Sequence, residues 1–372
     1  MGQVMSDLLT VVTPTVGNSA DRLNTFLSEL RRFTKLPFRQ IVSDDGTLSE
    51  EVVSQQKKVC ANFDVPHLDN PPPYGVSFNL NHAFTHVRTP WAFLLEDGLR
   101  PSMDWLEAAV EFLSMVAYRT FRGHEVGMVG CASIQDWMLC LGGGMPGHRV
   151  MGVFSQGDRT CWAEPWNDGY WCWNRMLPKI VEACHGDTRD WISDVAVFKK
   201  IALEGMAGME TLTYPDTGEP LHPSDKEQAW LKWRTGDHWP ARRTAWCGWY
   251  PGAFMLVNMA AWRNVGRWRD GCTFFEGHLG IRMGMAGYLS LCLECPPWLH
   301  CPSLGFSAAH EGKSPRQHLN TTALFQTDFE GRNHLNAVDL PNQVIGLDVQ
   351  AKVNEELARL PLTVADGWRK YL

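Results

Sequence analysis

Two acidic turns and one later carboxylate are the residues whose types and spacing could do chemistry. Asp44-Asp45-Gly46-Thr47 and Glu96-Asp97-Gly98 each follow a short apolar run, and Glu276 opens a later helical pattern. Carboxylate oxygens are hard ligands that suit Mg2+ or Mn2+, and such an ion neutralises a diphosphate in turn. A carboxylate can equally take a proton from an attacking hydroxyl. Taken one at a time, Asp-Asp-Gly is also an ordinary solvated turn, and an acid at the start of a helix complements the helix dipole. Cys292-x-x-Cys295, followed by His300 and Cys301, has the ligand types zinc favours. However, Leu289, Leu291 and Leu293 alternate with Ser290, Cys292 and Glu294, which makes these cysteines residues of a strand.

The elements that position the acids alternate between strand and helix. Leu8 to Thr13 reads as a buried strand stopped by Pro14, and Asn18 or Ser19 can cap a helix with Leu23, Phe26, Leu27, Leu30 and Phe33 on one face. Arg39 to Ser43 and Trp91 to Leu95 are strands whose C-terminal ends carry the two acidic turns. Asp104 with Glu107 resembles a capping box, opening a helix to about Tyr118, and Val126 to Gly130 is the next strand. Such alternation predicts a mostly parallel central sheet flanked by helices, in which ligands bind outside the carboxyl ends of the strands. Both acidic turns fall at that edge.

The pattern breaks in the middle of the chain. Of 17 Trp, 11 lie between Trp137 and Trp249, in a stretch interrupted by Gly142-Gly143-Gly144 and many prolines. This divides the chain into a first half over 1–130, a Trp-rich insertion over 131–249, a resumed αβ half over 250–312, and a polar, loop-like extension over 313–372 with one helix near Val353 to Leu360. A formal charge of −7 argues against a purely electrostatic nucleic-acid binder. The longest apolar runs fall far short of the roughly 18 residues needed to span a bilayer. The start of the chain has no signal-like core, so a cytoplasmic protein with reduced thiols is expected.

Four segments in order resemble the family 2 glycosyltransferases of GT-A fold. They are Val12-Thr13-Pro14-Thr15; Val42 to Thr47, like the family's DDGS turn; Gly75 to Asn81, leading after 15 residues to Glu96-Asp97-Gly98; and Phe275 to Arg282 with Ala286-Gly287-Tyr288. The resemblance covers roughly residues 8 to 130 and 250 to 310. It implies a Rossmann-like nucleotide-sugar-binding half bordered by Thr13, Pro14, Thr15, Asp44, Asp45, Asn81, Glu96, Asp97 and Gly252. It also implies Glu276 as the general base of an inverting transfer to an acceptor hydroxyl. A divalent cation, Mn2+ or Mg2+, would sit at Asp97 with His310, or at Glu96 in place of Asp97. Two departures stand out: Leu80 replaces a common Arg, and Gly98 replaces the last Asp of the family's DxD motif.

The insertion and the later helix point to the acceptor. Flat indoles stack on sugars and on nucleobases alike, although most Trp in a folded chain are core. Trp246, Trp249 and His278 are the acceptor candidates. Basic residues interleave with Trp from Lys226 to Trp249, so a modified nucleic-acid (DNA) base is an alternative to a glycan, glycoprotein or small molecule. A non-catalytic module that binds sugar or nucleotide is the other alternative, and Gly98 favours it.

Overall fold

The computed structural model describes residues 7–15, 20–46, 49–101, 103–133, 243–246, 254–272, 275–300, 321–333, 337 and 340–364. Gly252, Trp249, His310 and nearly all of the 131–249 insertion lie outside these residues, and Trp246 is described in its backbone only.

In chain order the strands are β1 (Leu9–Thr15), β2 (Arg39–Asp44), β3 (His67–Asp69), β4 (Trp91–Leu95), β5 (Leu99–Arg100), β6 (Thr120–Phe121), β7 (His124–Ser133), β8 (Arg243–Trp246), β9 (Phe254–Asn258) and β10 (Leu289–His300). The helices are α1 (Ala20–Arg32), α2 (Glu50–Asn62), α3 (Val76–Thr85), α4 (Trp105–Val116), α5 (Met259–Asn264), α6 (Phe275–Met285), α7 (Thr321–Asp328) and α8 (Leu347–Ala358). One sheet runs β3-β2-β1-β4-β9-β7-β10-β5, with β6 added to β7 and β8 to β10. Strands β1 to β4, β7 and β10 share one direction, while β9 lies antiparallel between β4 and β7. The expected architecture, a mostly parallel central sheet flanked by helices, is therefore the observed one. Because β9 separates β4 from β7, the stretch after the insertion completes the sheet begun before it.

Both faces of the sheet are covered, which is why its strands read as continuous apolar runs. Leu9, Val11, Phe93 and Leu95 face α1 and α4 through Leu23, Phe26, Leu30, Leu106 and Phe112. Their neighbours Val12, Ala92 and Leu94 face the other way, onto Leu80, Phe84, Trp262, Leu279 and Met283 of α3, α5 and α6. Leu80, the residue standing where the resemblance expects Arg, is thus a core side chain. Two N-caps fix where helices begin: Ser49 accepts from Val52 N, and Asn258 Oδ1 accepts from Ala260 N at 2.9 Å.

Three local expectations need correction. Strand β1 continues through Pro14 to Thr15. Its ladder with β4 ends at Val12, while Thr15 O accepts from Asp45 N on the β2 side, so Pro14 faces a stretch that demands no donor from it. Asp104 is left-handed (φ 60°) and makes no side-chain cap; Glu107 instead accepts from Thr34 Oγ1 and Lys35 N, fastening α4 to the end of α1. Among the described residues beyond 313, a helix not expected, α7, joins the expected one: α7 and the residues after it pack Leu324, Phe325, Phe329 and Leu340 against Ile281 of α6. Its apolar residues cover one helix with a short partner, which leaves a weak periodic signal.

Candidate active site

Buried polar side chains concentrate where β1, β2 and β4 end. Thr13, Thr15, Ser43, Asp44, Asp45, Gln56, Asn79 and Asp97 are each buried. Polar groups at that depth require partners, and here they find one another. Thr15 Oγ1 donates to Asp97 Oδ2 at 2.9 Å and accepts from Gln56 Nε2 at 3.4 Å. Arg22, from the first turn of α1, holds Asp97 twice: Nη2 lies 3.1 Å from Oδ1, and Nε donates to the main-chain carbonyl at 3.2 Å. Gln40 Nε2 donates to Thr13 Oγ1 at 3.2 Å. Ser43 donates to Asn79 Oδ1, and Asn79 Nδ2 returns a bond to Ser43 O at 3.0 Å.

The two acidic turns therefore meet. Burial raises the Asp97 carboxyl above the ordinary carboxylate range, opposed by Arg22 and Thr15 and reinforced by the charges of Glu96 and Asp44. The first turn is closed by its neighbours: Asp45 Oδ1 accepts from Gly75 N at 2.7 Å, and the Tyr74 ring covers Gly46. Asn70 N donates to Asp44 O at 3.2 Å, drawing the end of β3 to the same edge. β5 brings the end of β10 alongside, pairing Leu99 with His300.

The later residues take different places. Glu276 lies half-buried in the first turn of α6. That helix leads into β10 at the amino edge of the sheet, so its first turn points back toward the carboxyl edge where the acids lie. Asn81 reaches across to the loop before α6, donating to Trp268 O at 3.0 Å and Asp270 Oδ1 at 2.7 Å and accepting from Trp268 N at 3.1 Å. His278 is fully buried. Its Nε2 lies 2.9 Å from Asp328 Oδ2 and its Nδ1 accepts from Arg282 Nε at 3.1 Å, while the Phe325 and Phe329 rings cover it. Burial first, then the Arg282 charge, lowers its pKa to about 4, so the ring is neutral and donates through Nε2. Trp246 pairs its backbone with Ser290 of β10.

The donor set at Asp97 does not fit a divalent cation. Both carboxylate oxygens already face Arg22 and Thr15, and Gly98 supplies no second carboxylate. Among the described residues no group of three or more His, Cys, Asp or Glu is arranged to hold a metal. No helix among them is long and apolar enough to cross a membrane.

Arg22, Gln56 and Asp328 carried no recognised signal in the sequence, and Gly75 and Asn79 lay in the quoted Gly75 to Asn81 segment without an assigned role. Arg22 and Gly75 had a findable signal: each lies just before or within the first turn of a helix that follows a strand, and so at the ligand edge of such a sheet.

No curated protein sequence matches the chain. Among solved structures, a mannosyltransferase from Pyrobaculum calidifontis in complex with GDP-Man and Mn2+ is 13% identical, covering 98% of this chain and 84% of its own, with a TM-score of 0.44. Glucosyl-3-phosphoglycerate synthase from Mycobacterium tuberculosis, in complex with Mn2+, UDP and glucosyl-3-phosphoglycerate, is 9% identical over 79% of this chain and 72% of its own, with a TM-score of 0.37. TarS from S. aureus, in complex with UDP-GlcNAc, is 13% identical over 34% of each chain, with a TM-score of 0.26. Residues 10–115, which carry both acidic turns and the network that joins them, match the model of glycosyl transferase family 2, and over that stretch the chain is family 2-like.

Proposed function

We propose that this protein is a glycosyltransferase that moves a sugar from a nucleotide-sugar donor to an acceptor hydroxyl. The observation that carries the reading is the joining of Asp44, Asp45 and Asp97 through Thr15 at the carboxyl edge of the sheet, inside the segment that matches the family. A nucleotide needs hydrogen-bond acceptors for its base and ribose, and the Asp44-Asp45 turn offers them. The diphosphate lies toward the Glu96-Asp97 turn.

Glu276 is the proposed base. As the acceptor oxygen forms its bond to the anomeric carbon, the bond from that carbon to the diphosphate oxygen breaks, and the hydroxyl proton passes to the Glu276 carboxylate. Attack opposite the leaving group inverts the anomeric centre. The acceptor is a glycan, glycoprotein or small molecule. The interleaved Lys, Arg and Trp between Lys226 and Trp249 support a modified DNA base as the second reading.

Incubation with UDP- and GDP-sugars, followed for diphosphate release, tests the proposal. Release is expected with one donor, and Glu276→Gln is expected to lower it by about 100-fold or more, within the usual range for loss of a general base. Stimulation by hydroxylated DNA would select the second reading. No release with any donor or acceptor would leave a binding module.

A further inference from the structure

Asp97 is one of the two carboxylates, with Glu96, that this acidic turn offers to a divalent cation, and both of its oxygens are already engaged. Arg22 grips this one residue through two nitrogens, at 3.1 Å on the carboxylate and 3.2 Å on the carbonyl. A guanidinium fork fixed on two acceptors is a directed contact, unlike a surface pair of two loose side chains. Both partners are shielded, at 17% and 8% side-chain exposure, so removing either one strands a charge in a poorly solvated place. The remaining oxygen belongs to Thr15, which Gln56, itself fully buried, holds from behind. Asp44 and Glu96 add negative potential at the same point, and among the described residues Arg22 is the cation that sits on Asp97.

Mn2+ or Mg2+ at this spot would need about six oxygens close around it. It would have to displace Arg22 and Thr15 together, and it would then face the guanidinium across a few ångströms of weakly screening protein. We infer that Arg22 stands in for a divalent cation at Asp97: its guanidinium is the built-in counter-charge of that carboxylate, which holds no metal ion. The inference rests on the glycosyltransferase reading only for what the turn faces. The exchange of metal for guanidinium at Asp97 can be read without any donor.

The test is Mn2+ uptake by the full chain, measured from the loss of the free-ion electron paramagnetic resonance signal after stripping with EDTA, with Mn2+ alone as the probe. Wild-type protein is expected to show no stoichiometric site that Asp97→Asn removes. Arg22→Gln, which frees the carboxylate, is expected to bind Mn2+ about ten-fold more tightly or better, and Arg22→Gln with Asp97→Asn is expected to lose that gain. Arg22→Lys keeps a positive charge and serves if Arg22→Gln does not fold; its uptake is expected to stay at the wild-type level. One Mn2+ per wild-type chain, lost in Asp97→Asn, would overturn the inference, and so would a folded Arg22→Gln with unchanged uptake. UDP and GDP binding in EDTA, measured separately, reports on the glycosyltransferase reading, so the two failures are distinguishable.

Discussion

The Thr15 hydroxyl donates to Asp97 Oδ2 at 2.9 Å, joining residues 82 positions apart. The ladder between β1 and β4 ends at Val12 opposite Leu94, so this bond spans the place where the two strands part. Such an opening between adjacent parallel strands is where an α/β sheet receives a ligand. Thr15→Val keeps the shape and removes the donor, leaving a buried carboxylate oxygen without its hydroxyl. The variant is expected to lose about 1 to 3 kcal/mol of stability in denaturant unfolding and to bind nucleotide more weakly.

Gly46 adopts φ +74°, and a Cβ there would lie 2.2 Å from the Tyr74 ring. Gly123 also has a positive φ, +88°, but has nothing within 4 Å. Gly123→Ala is therefore expected to cost about 1 kcal/mol from backbone strain alone, whereas Gly46→Ala adds a clash and is expected to cost more. Thermal unfolding of both variants checks the order. Gly46→Ala combined with Tyr74→Ala should recover the clash component only.

Much of the frame was legible because it is apolar and periodic. Leu23, Phe26, Leu27 and Leu30 announce α1, and Trp91 to Leu95 announces a strand buried on both faces. By contrast α2 buries only Gln56 and Cys60, so its inward face carries little apolar signal. The acidic turns were legible as chemistry because Asp-Asp-Gly and Glu-Asp-Gly end strands. What holds them was not, since Arg22, Gln56 and Asn79 act over 36 to 75 positions of separation that no local pattern encodes. His278 illustrates the limit: an imidazole in helical register looks equally suited to a cleft or a core, and the covering Phe325 and Phe329 come from a segment whose helix was not anticipated.

The pKa of His278, about 4 in the folded chain against an ordinary 6.5, fixes a pH dependence. The unfolded chain binds more protons between these values, so folding stability falls as pH drops from 6.5 toward 4, with a slope approaching about 1.4 kcal/mol per pH unit. Above 6.5 this contribution is fully present. Unfolding free energies measured across that range should show the slope, and His278→Gln should flatten it whatever its effect on absolute stability.

Asn81 ties α3 to the loop that leads into α6 through three hydrogen bonds, to Trp268 and Asp270. Asn81→Ala releases that loop and with it the approach to Glu276. The expected result is a loss of about 1 to 3 kcal/mol in stability and a fall in turnover larger than any fall in donor affinity, read from steady-state kinetics beside nucleotide titration.

Calorimetric titration of UDP and GDP into the wild-type protein, Asp45→Asn and Arg88→Ala tests the central reading most directly. Arg88 lies on the turn entering β4, at the opposite edge of the sheet. One of the two nucleotides is expected to bind the wild type, with affinity reduced about ten-fold or more in Asp45→Asn and unchanged in Arg88→Ala. Binding of neither nucleotide, or equal affinity in all three proteins, would contradict it.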